Sequence, residues 1–300
     1  MAEAIETLRS ALQTSSFLSM TKDEVEELYT QSYNFIIAGR QPRSVDSTEL
    51  YSFIELHFYL ALITCHDNEA ATVLTTLSDR FGESSPRIGV MKALLIEATE
   101  SFDKALDYLN GRPDTELGAT KRRLAIMRAT ATSASLNAGY IKELNTVLDT
   151  FPSDGETWAE LAQAYIDVGM YAQGLFALHE VLLLFPLAYN INAWIAEVTM
   201  KFAETLKDQG SGGVSTEEKY AEAVKFALRS VELCDDYVRG WSGVLVGSSK
   251  LLDLGKNVDK DLYKMLSTLA RQQLEKIVEQ EDARPEDLQA AEYILKSVKA

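Results

Sequence analysis

The amino-acid sequence predicts an all-α protein built from antiparallel helix pairs stacked as a solenoid, with further helices at both ends. Three observations carry this expectation. Only 6 prolines and 16 glycines interrupt 300 residues, too few for the frequent turns of a strand-rich chain. Apolar residues recur at spacings of three and four, as in Leu144, Val147 and Leu148, or Leu161, Ala164, Tyr165 and Val168. Such spacing lines one face of a helix. Short breakers divide the chain into helices of about 12–18 residues.

Residues 1–45 read as N-terminal helices, one of them opened by Thr21 with Glu24 three positions later, the spacing of a capping box. Gly39-Arg40-Gln41-Pro42 ends them, and a weaker helix pair follows over about 48–85, closed by Gly82 to Pro86. Ala93 lies in the next helix, and Phe102-Asp103-Lys104-Ala105 starts its partner, which Asn110-Gly111-Arg112-Pro113 stops. Met127 and Ala131 take first-helix positions, and Leu144 and Val147 second-helix positions, with Tyr140 where a small residue is usual. Asn137-Ala138-Gly139 reads as the break between that pair.

The best-defined unit is 155–188. Trp158, Leu161, Ala162 and Tyr165 follow the spacing W-x2-L-(G/A)-x2-Y, then Tyr171, Gly174, Leu178 and Val181 follow at second-helix offsets, and Pro186 closes the unit. Trp158, Leu161 and Tyr165 share one face of the first helix and are expected to wedge into the second. Ala162 and Gly174 are small where the two helices cross, and Pro186 ends the pair. This spacing resembles the tetratricopeptide repeat, a 34-residue helix pair that stacks into a right-handed superhelix. Stepping onward, Ala196 takes a small position, and Tyr220 and Ala223 match only after an insertion holding a Gly-rich loop at 208–215. Trp241, Val244 and Leu245 open another first helix, and Pro285 suits the first turn of a last helix, 285–298. The expected domains are therefore 1–45, a solenoid over 46–250, and capping helices over 251–300.

Composition removes several function classes. With 29 Lys and Arg against 45 Asp and Glu, the formal charge is −16, which disfavours nucleic acid and unaided docking on anionic lipid. Two cysteines build no disulfide framework, which points to a reducing compartment. The first twenty residues lack the basic and apolar blocks of a signal peptide. The apolar stretches Phe58–Cys65 and 175–188 fall short of the roughly 20 residues of a membrane helix. Cys65 and His66 are adjacent and point about 100° apart on a helix, so they do not chelate one ion. Cys65 is expected as a small buried hydrophobe, and His179 as a surface or lining residue. Gly210-Ser211-Gly212-Gly213 lacks the lysine of a phosphate loop. No catalytic residue, metal or cofactor is expected. The basic run Lys121-Arg122-Arg123, with Arg112 nearby, has two readings: a solvated helix start or a patch for an acidic partner.

The run FPSDGETWAELAQAYIDVGMYAQGLFALHEVLLLFP is similar to the central repeat of the subunit 2 family of the endoplasmic reticulum membrane protein complex. Its neighbours agree in order: RIGVMKALLIEATESFDKAL and IKELNTVLDTF before it, AWIAEV and KYAEAVKFALRSVEL after it. The resemblance covers about 85–245. It implies a non-catalytic scaffold on the cytoplasmic face of the endoplasmic reticulum, attached to the membrane only through partners. Such a scaffold supports insertion of transmembrane segments, tail anchors included. It holds cytosolic parts of membrane subunits, among them a YidC-like insertase subunit, and a second soluble subunit. Groove-facing positions of the first helices would then touch partners: Arg122, Ala125, Ala129, Glu156, Ala159, Gln163, Ile166, Asn190, Ala193, Trp194 and Glu197. Trp194, an aromatic at one of these positions, has two readings: a partner hot spot or ordinary packing against the next helix. The alternative is a co-chaperone adaptor that clamps a chaperone's C-terminal carboxylate. Against it, Glu156 and Glu160 stand where that carboxylate would dock and repel it.

Overall fold

In a computed structural model of the chain, the described residues are 2–37, 45–130, 136–209, 215–255, 259–279 and 284–298. Their regular structure is entirely helical, as expected. Unit 1 (Met1–Thr132) and unit 2 (Ser133–Ala300) are separately compact. The division between them falls inside the 46–250 stretch that the sequence presents as one array. Within the Gly-rich loop, 210–214 lie outside the described residues, as does Ala131.

Unit 1 holds α1 (Ala2–Thr14), α2 (Lys22–Ile37), α3 (Ser47–Ile63), α4 (Asp67–Phe81), α5 (Pro86–Thr99), α6 (Phe102–Asn110) and α7 (Leu117–Thr130). Its core runs from Leu8, Leu28, Phe53 and Leu56 through Phe58, Leu74, Leu77 and Met91 to Ala93, Ala105, Leu109 and Ile126. Helix starts are fixed by side chains: Asp46 accepts the Glu49 amide at 2.7 Å, and Glu24 accepts the Thr21 amide at 2.7 Å. Cys65 departs from expectation. Helix α3 ends at Ile63, and the turn into α4 places Cys65 at φ 61°, a left-handed conformation that directs its thiol to solvent.

Unit 2 holds α8 (Leu136–Thr150), α9 (Gly155–Asp167), α10 (Tyr171–Leu184), α11 (Tyr189–Gln209), α12 (Thr216–Leu233), α13 (Val238–Leu254), α14 (Lys260–Val278) and α15 (Pro285–Ser297). Asn137-Ala138-Gly139, which the sequence presents as a break, lies in the first turn of α8. Tyr140 is buried there, and its hydroxyl donates to Glu160 of α9. Asp154 caps α9. Ser215 and Glu218 complete a reciprocal capping box on α12.

The α9–α10 pair crosses where the sequence puts its small residues. Leu161, Ala162, Gly174 and Leu178 are buried. A Cβ on Gly174 would stand 2.9 Å from Ile166 Cγ1 and 3.3 Å from the Ala162 carbonyl oxygen. Helix α10 stops at Leu184, two residues before Pro186. Tyr165 is half-buried, and so is Trp158, against the expected deep wedge. The Trp158 indole donates to the Pro152 carbonyl at 2.9 Å and meets Phe176 edge-on at 6.2 Å. Phe176 is itself 60% exposed. Trp241 uses the same local device, donating to the Asp235 carbonyl at 2.6 Å. It is only 8% exposed, because it joins a core with Ala270, Leu274 and Ile277 of α14 and Ala291 of α15.

Candidate protein-interaction surfaces

The groove-facing residues expected from the sequence are split between the two units. On α7 of unit 1, Ala125 and Ala129 are exposed, while Arg122 forms a two-pronged ion pair with Glu97 of α5. On α9 of unit 2, Glu156 is exposed and Ala159, Gln163 and Ile166 are half-buried. The Gln163 amide donates to Asp167 at 2.6 Å, and Ile166 packs over Gly174. On α11, Asn190 is exposed and Trp194 half-buried. Ala193 is 1% exposed and offers a partner no side-chain surface, which corrects its expected role.

Charge on these faces is largely used within the chain. Arg87 of α5 pairs with Glu55 of α3 at 2.8 Å, Arg122 with Glu97, and Arg239 of α13 with Glu197 of α11 at 2.5 and 2.6 Å. Each pair links two alternate helices, so Arg122 and Glu197 are stitches between helices as well as surface groups. The basic run behaves likewise. Arg123 reaches Asp114 at 2.8 Å, and Arg112 grips Glu116 through two hydrogen bonds. The reading of that run as a patch for an acidic partner therefore loses its guanidinium groups to internal acids.

A different surface stands out in unit 2. Asn145 of α8, Trp158, Leu161 and Tyr165 of α9, and Ala172, Gln173 and Phe176 of α10 line an open groove of about 280 Å³. Beyond it, Leu183 is 73% exposed, Phe185 55% and Leu187 71%. Phe176 and Leu183 stand two turns apart on one face of α10, and exposed apolar side chains grouped in this way mark interaction sites on soluble proteins. The Phe185 ring lies over Gly155, where a Cβ would come within 2.4 Å of it. Sequence reasoning missed this strip, although a signal was present. Helix α10 is apolar on more than one face, and its buried line of Leu175, Leu178 and Val181 leaves Phe176 and Leu183 on another.

Unit 1 holds one constellation with the connectivity of a hydrolase triad. Ser32 Oγ lies 2.7 Å from His57 Nδ1, His57 Nε2 lies 2.8 Å from Glu69 Oε1, and the Tyr29 hydroxyl donates to Glu69 Oε2 at 2.5 Å. Ser32 is 0% and His57 1% exposed, so neither can meet a substrate. The network is a polar tie between α2, α3 and α4. Burial would raise the Glu69 carboxyl, but the Tyr29 and His57 hydrogen bonds outweigh it and hold the group below its ordinary value. Among the described residues, no group of three or more His, Cys, Asp or Glu could hold a metal ion, and no helix is long and apolar enough to cross a membrane. His179 is half-buried against Phe226, with ring centres 5.4 Å apart.

Antiparallel helix pairs, the close crossing at Ala162 and Gly174, and a proline after the second helix define a tetratricopeptide-repeat protein. Residues 73–208, from α4 into α11, match the EMC2 TPR-like repeat domain. The chain is 26% identical to ER membrane protein complex subunit 2 of Saccharomyces cerevisiae over 269 residues, 87% of this chain and 88% of that one. It is 28% identical to TPR repeat protein oca3 of Schizosaccharomyces pombe, covering 81% of this chain and 79% of that one. It is also 32% identical to ER membrane protein complex subunit 2 of Xenopus tropicalis, covering 58% and 59%. The repeat region is thus similar to the EMC2 TPR-like repeat domain, and the chain as a whole is similar to ER membrane protein complex subunit 2 of these organisms.

Proposed function

We propose that the chain is a non-catalytic scaffold subunit of the endoplasmic reticulum membrane protein complex, working on its cytoplasmic face. It holds cytosolic parts of membrane subunits, including the YidC-like insertase subunit, together with a second soluble subunit, and so supports insertion of transmembrane segments and tail anchors. The observation that carries this reading is the family match over 73–208, joined to subunit 2 relatives that extend along most of the chain. Helix faces that display half-buried and exposed apolar side chains, Trp194 and Phe176 among them, suit a protein whose work is to hold polypeptides. Glu156, exposed on α9, opposes the clamping of a chaperone carboxylate.

The test is affinity purification of the tagged full-length chain from detergent-solubilised membranes. Membrane subunits co-elute if the reading is right; soluble chaperones alone overturn it. Trp194→Ala is expected to lower capture of those subunits while leaving the melting midpoint nearly unchanged. Parallel loss of capture and thermal stability would assign Trp194 to packing instead.

A further inference from the structure

We infer that the apolar groove between α8 and α10 of unit 2, with the strip that continues along α10, docks an amphipathic helix flanked by Lys and Arg. The groove has the anatomy of a helix-binding site. Trp158 lies within it, Leu161 is its buried floor, and Asn145 and Gln173 give it a polar edge. Phe176 and Leu183 stand seven residues apart on α10, two helical turns or about 10 Å. That spacing matches a ligand helix laying down side chains at i, i+3, i+4 and i+7.

Charge selects the occupant. Residues 136–188, which form α8 to α10 and their turns, contain seven acids (Glu143, Asp149, Asp154, Glu156, Glu160, Asp167 and Glu180) and one lysine, Lys142, giving 1 − 7 = −6. An apolar surface in an acidic field repels anionic lipid and a second copy of itself, and attracts a basic ligand. Nor does the repeat design itself require an open ring, since Trp241 has the same local hydrogen bond and lies in a core. The inference rests on the scaffold reading in one respect. Cytosolic segments beside membrane spans are enriched in Lys and Arg, so a membrane subunit is a natural source of such a helix.

The experiment measures fluorescence anisotropy of a labelled Leu/Lys amphipathic peptide of about five turns titrated with the full-length chain. A scrambled peptide of the same composition and a Leu/Glu counterpart serve as controls. Only the Leu/Lys helix is expected to bind. Replacing both Phe176→Ser and Leu183→Ser should weaken it by about tenfold or more. Both side chains are exposed, so an unchanged circular dichroism spectrum and melting midpoint should confirm folding. Asp149→Lys with Glu180→Lys should weaken the Leu/Lys peptide and admit the Leu/Glu one. Equal binding of the scrambled peptide, or indifference to the Phe176 and Leu183 changes, overturns the inference. So does sedimentation showing a dimer that the serine variant abolishes, or binding to anionic vesicles that it abolishes. In the purification from membranes, a wild-type chain that captures no membrane subunit ends the scaffold reading. A serine variant that captures them as well as wild type ends the groove inference alone.

Discussion

Arg112 and Gly89 make a pair whose coupling can be worked out from distances. The Arg112 guanidinium holds Glu116 at 2.8 and 3.0 Å, with both side chains only 12% exposed. It also donates to the carbonyls of Ser85 at 3.1 Å and of Glu83 and Ser84 at 3.3 Å, joining the turn after α6 to the turn before α5. Removing one partner of a largely buried ion pair leaves the other charge stranded, so Arg112→Ala should cost about 3 kcal/mol. Gly89 of α5 is the seat for that group. A Cβ there would lie 2.6 Å from Cζ, 2.8 Å from Nε and 2.9 Å from Nη2 of Arg112. Gly89→Ala must push the guanidinium off its acceptors, at a net cost of about 1–2 kcal/mol despite the better helix propensity of alanine. Once Arg112 is alanine the obstacle is gone and the propensity gain remains, so Gly89→Ala should then stabilise by about 0.5–1 kcal/mol. The effect changes sign, and the coupling is about 1.5–3 kcal/mol. Urea denaturation followed by circular dichroism measures it, with amide exchange in α5 and α7 locating the change. Tryptophan emission reports unit 2, where Trp158, Trp194 and Trp241 all lie. The same cost for Gly89→Ala in both backgrounds would refute the reasoning.

Two further outcomes follow from burial and titration. Trp241→Ala should cost about 3–5 kcal/mol and Trp158→Ala clearly less, since one indole is in a core and the other half open; equal shifts in thermal melts would contradict this. Glu69 has a lowered pKa in the folded chain, so its stabilisation is complete above the unfolded value of about 4.3 and is lost as pH falls through the folded one. Glu69→Gln should therefore reduce stability at neutral pH, with a deficit that shrinks toward acid; a deficit constant in pH would rule the mechanism out.

Local spacing made much of the fold legible. Trp158, Leu161, Ala162 and Tyr165, followed by Gly174, Leu178 and Pro186, define a helix, a crossing and a stop within one short segment, and the neighbouring pairs repeat the same plan at less regular spacing. The candidate site was less legible, because a first-helix position says which way a residue points and not what meets it. Arg122 and Glu197 stand at first-helix positions, yet Glu97 and Arg239 reach them from helices 25 and 42 residues away in sequence. Ala193 counts as groove-facing by position, yet it is core.

By itself, then, the sequence determined the helix pairs, their caps and the small residues at their crossings, since each depends on neighbours within about one repeat. Its collinear motifs also pointed to the family. Only the tertiary structure decided that Trp241 is covered while Trp158 is open, that the basic run is engaged by internal acids, and that α10 displays Phe176 and Leu183. The physical reason is the same in each case. Burial and pairing depend on which distant helices close over a surface, and no spacing along one helix encodes that.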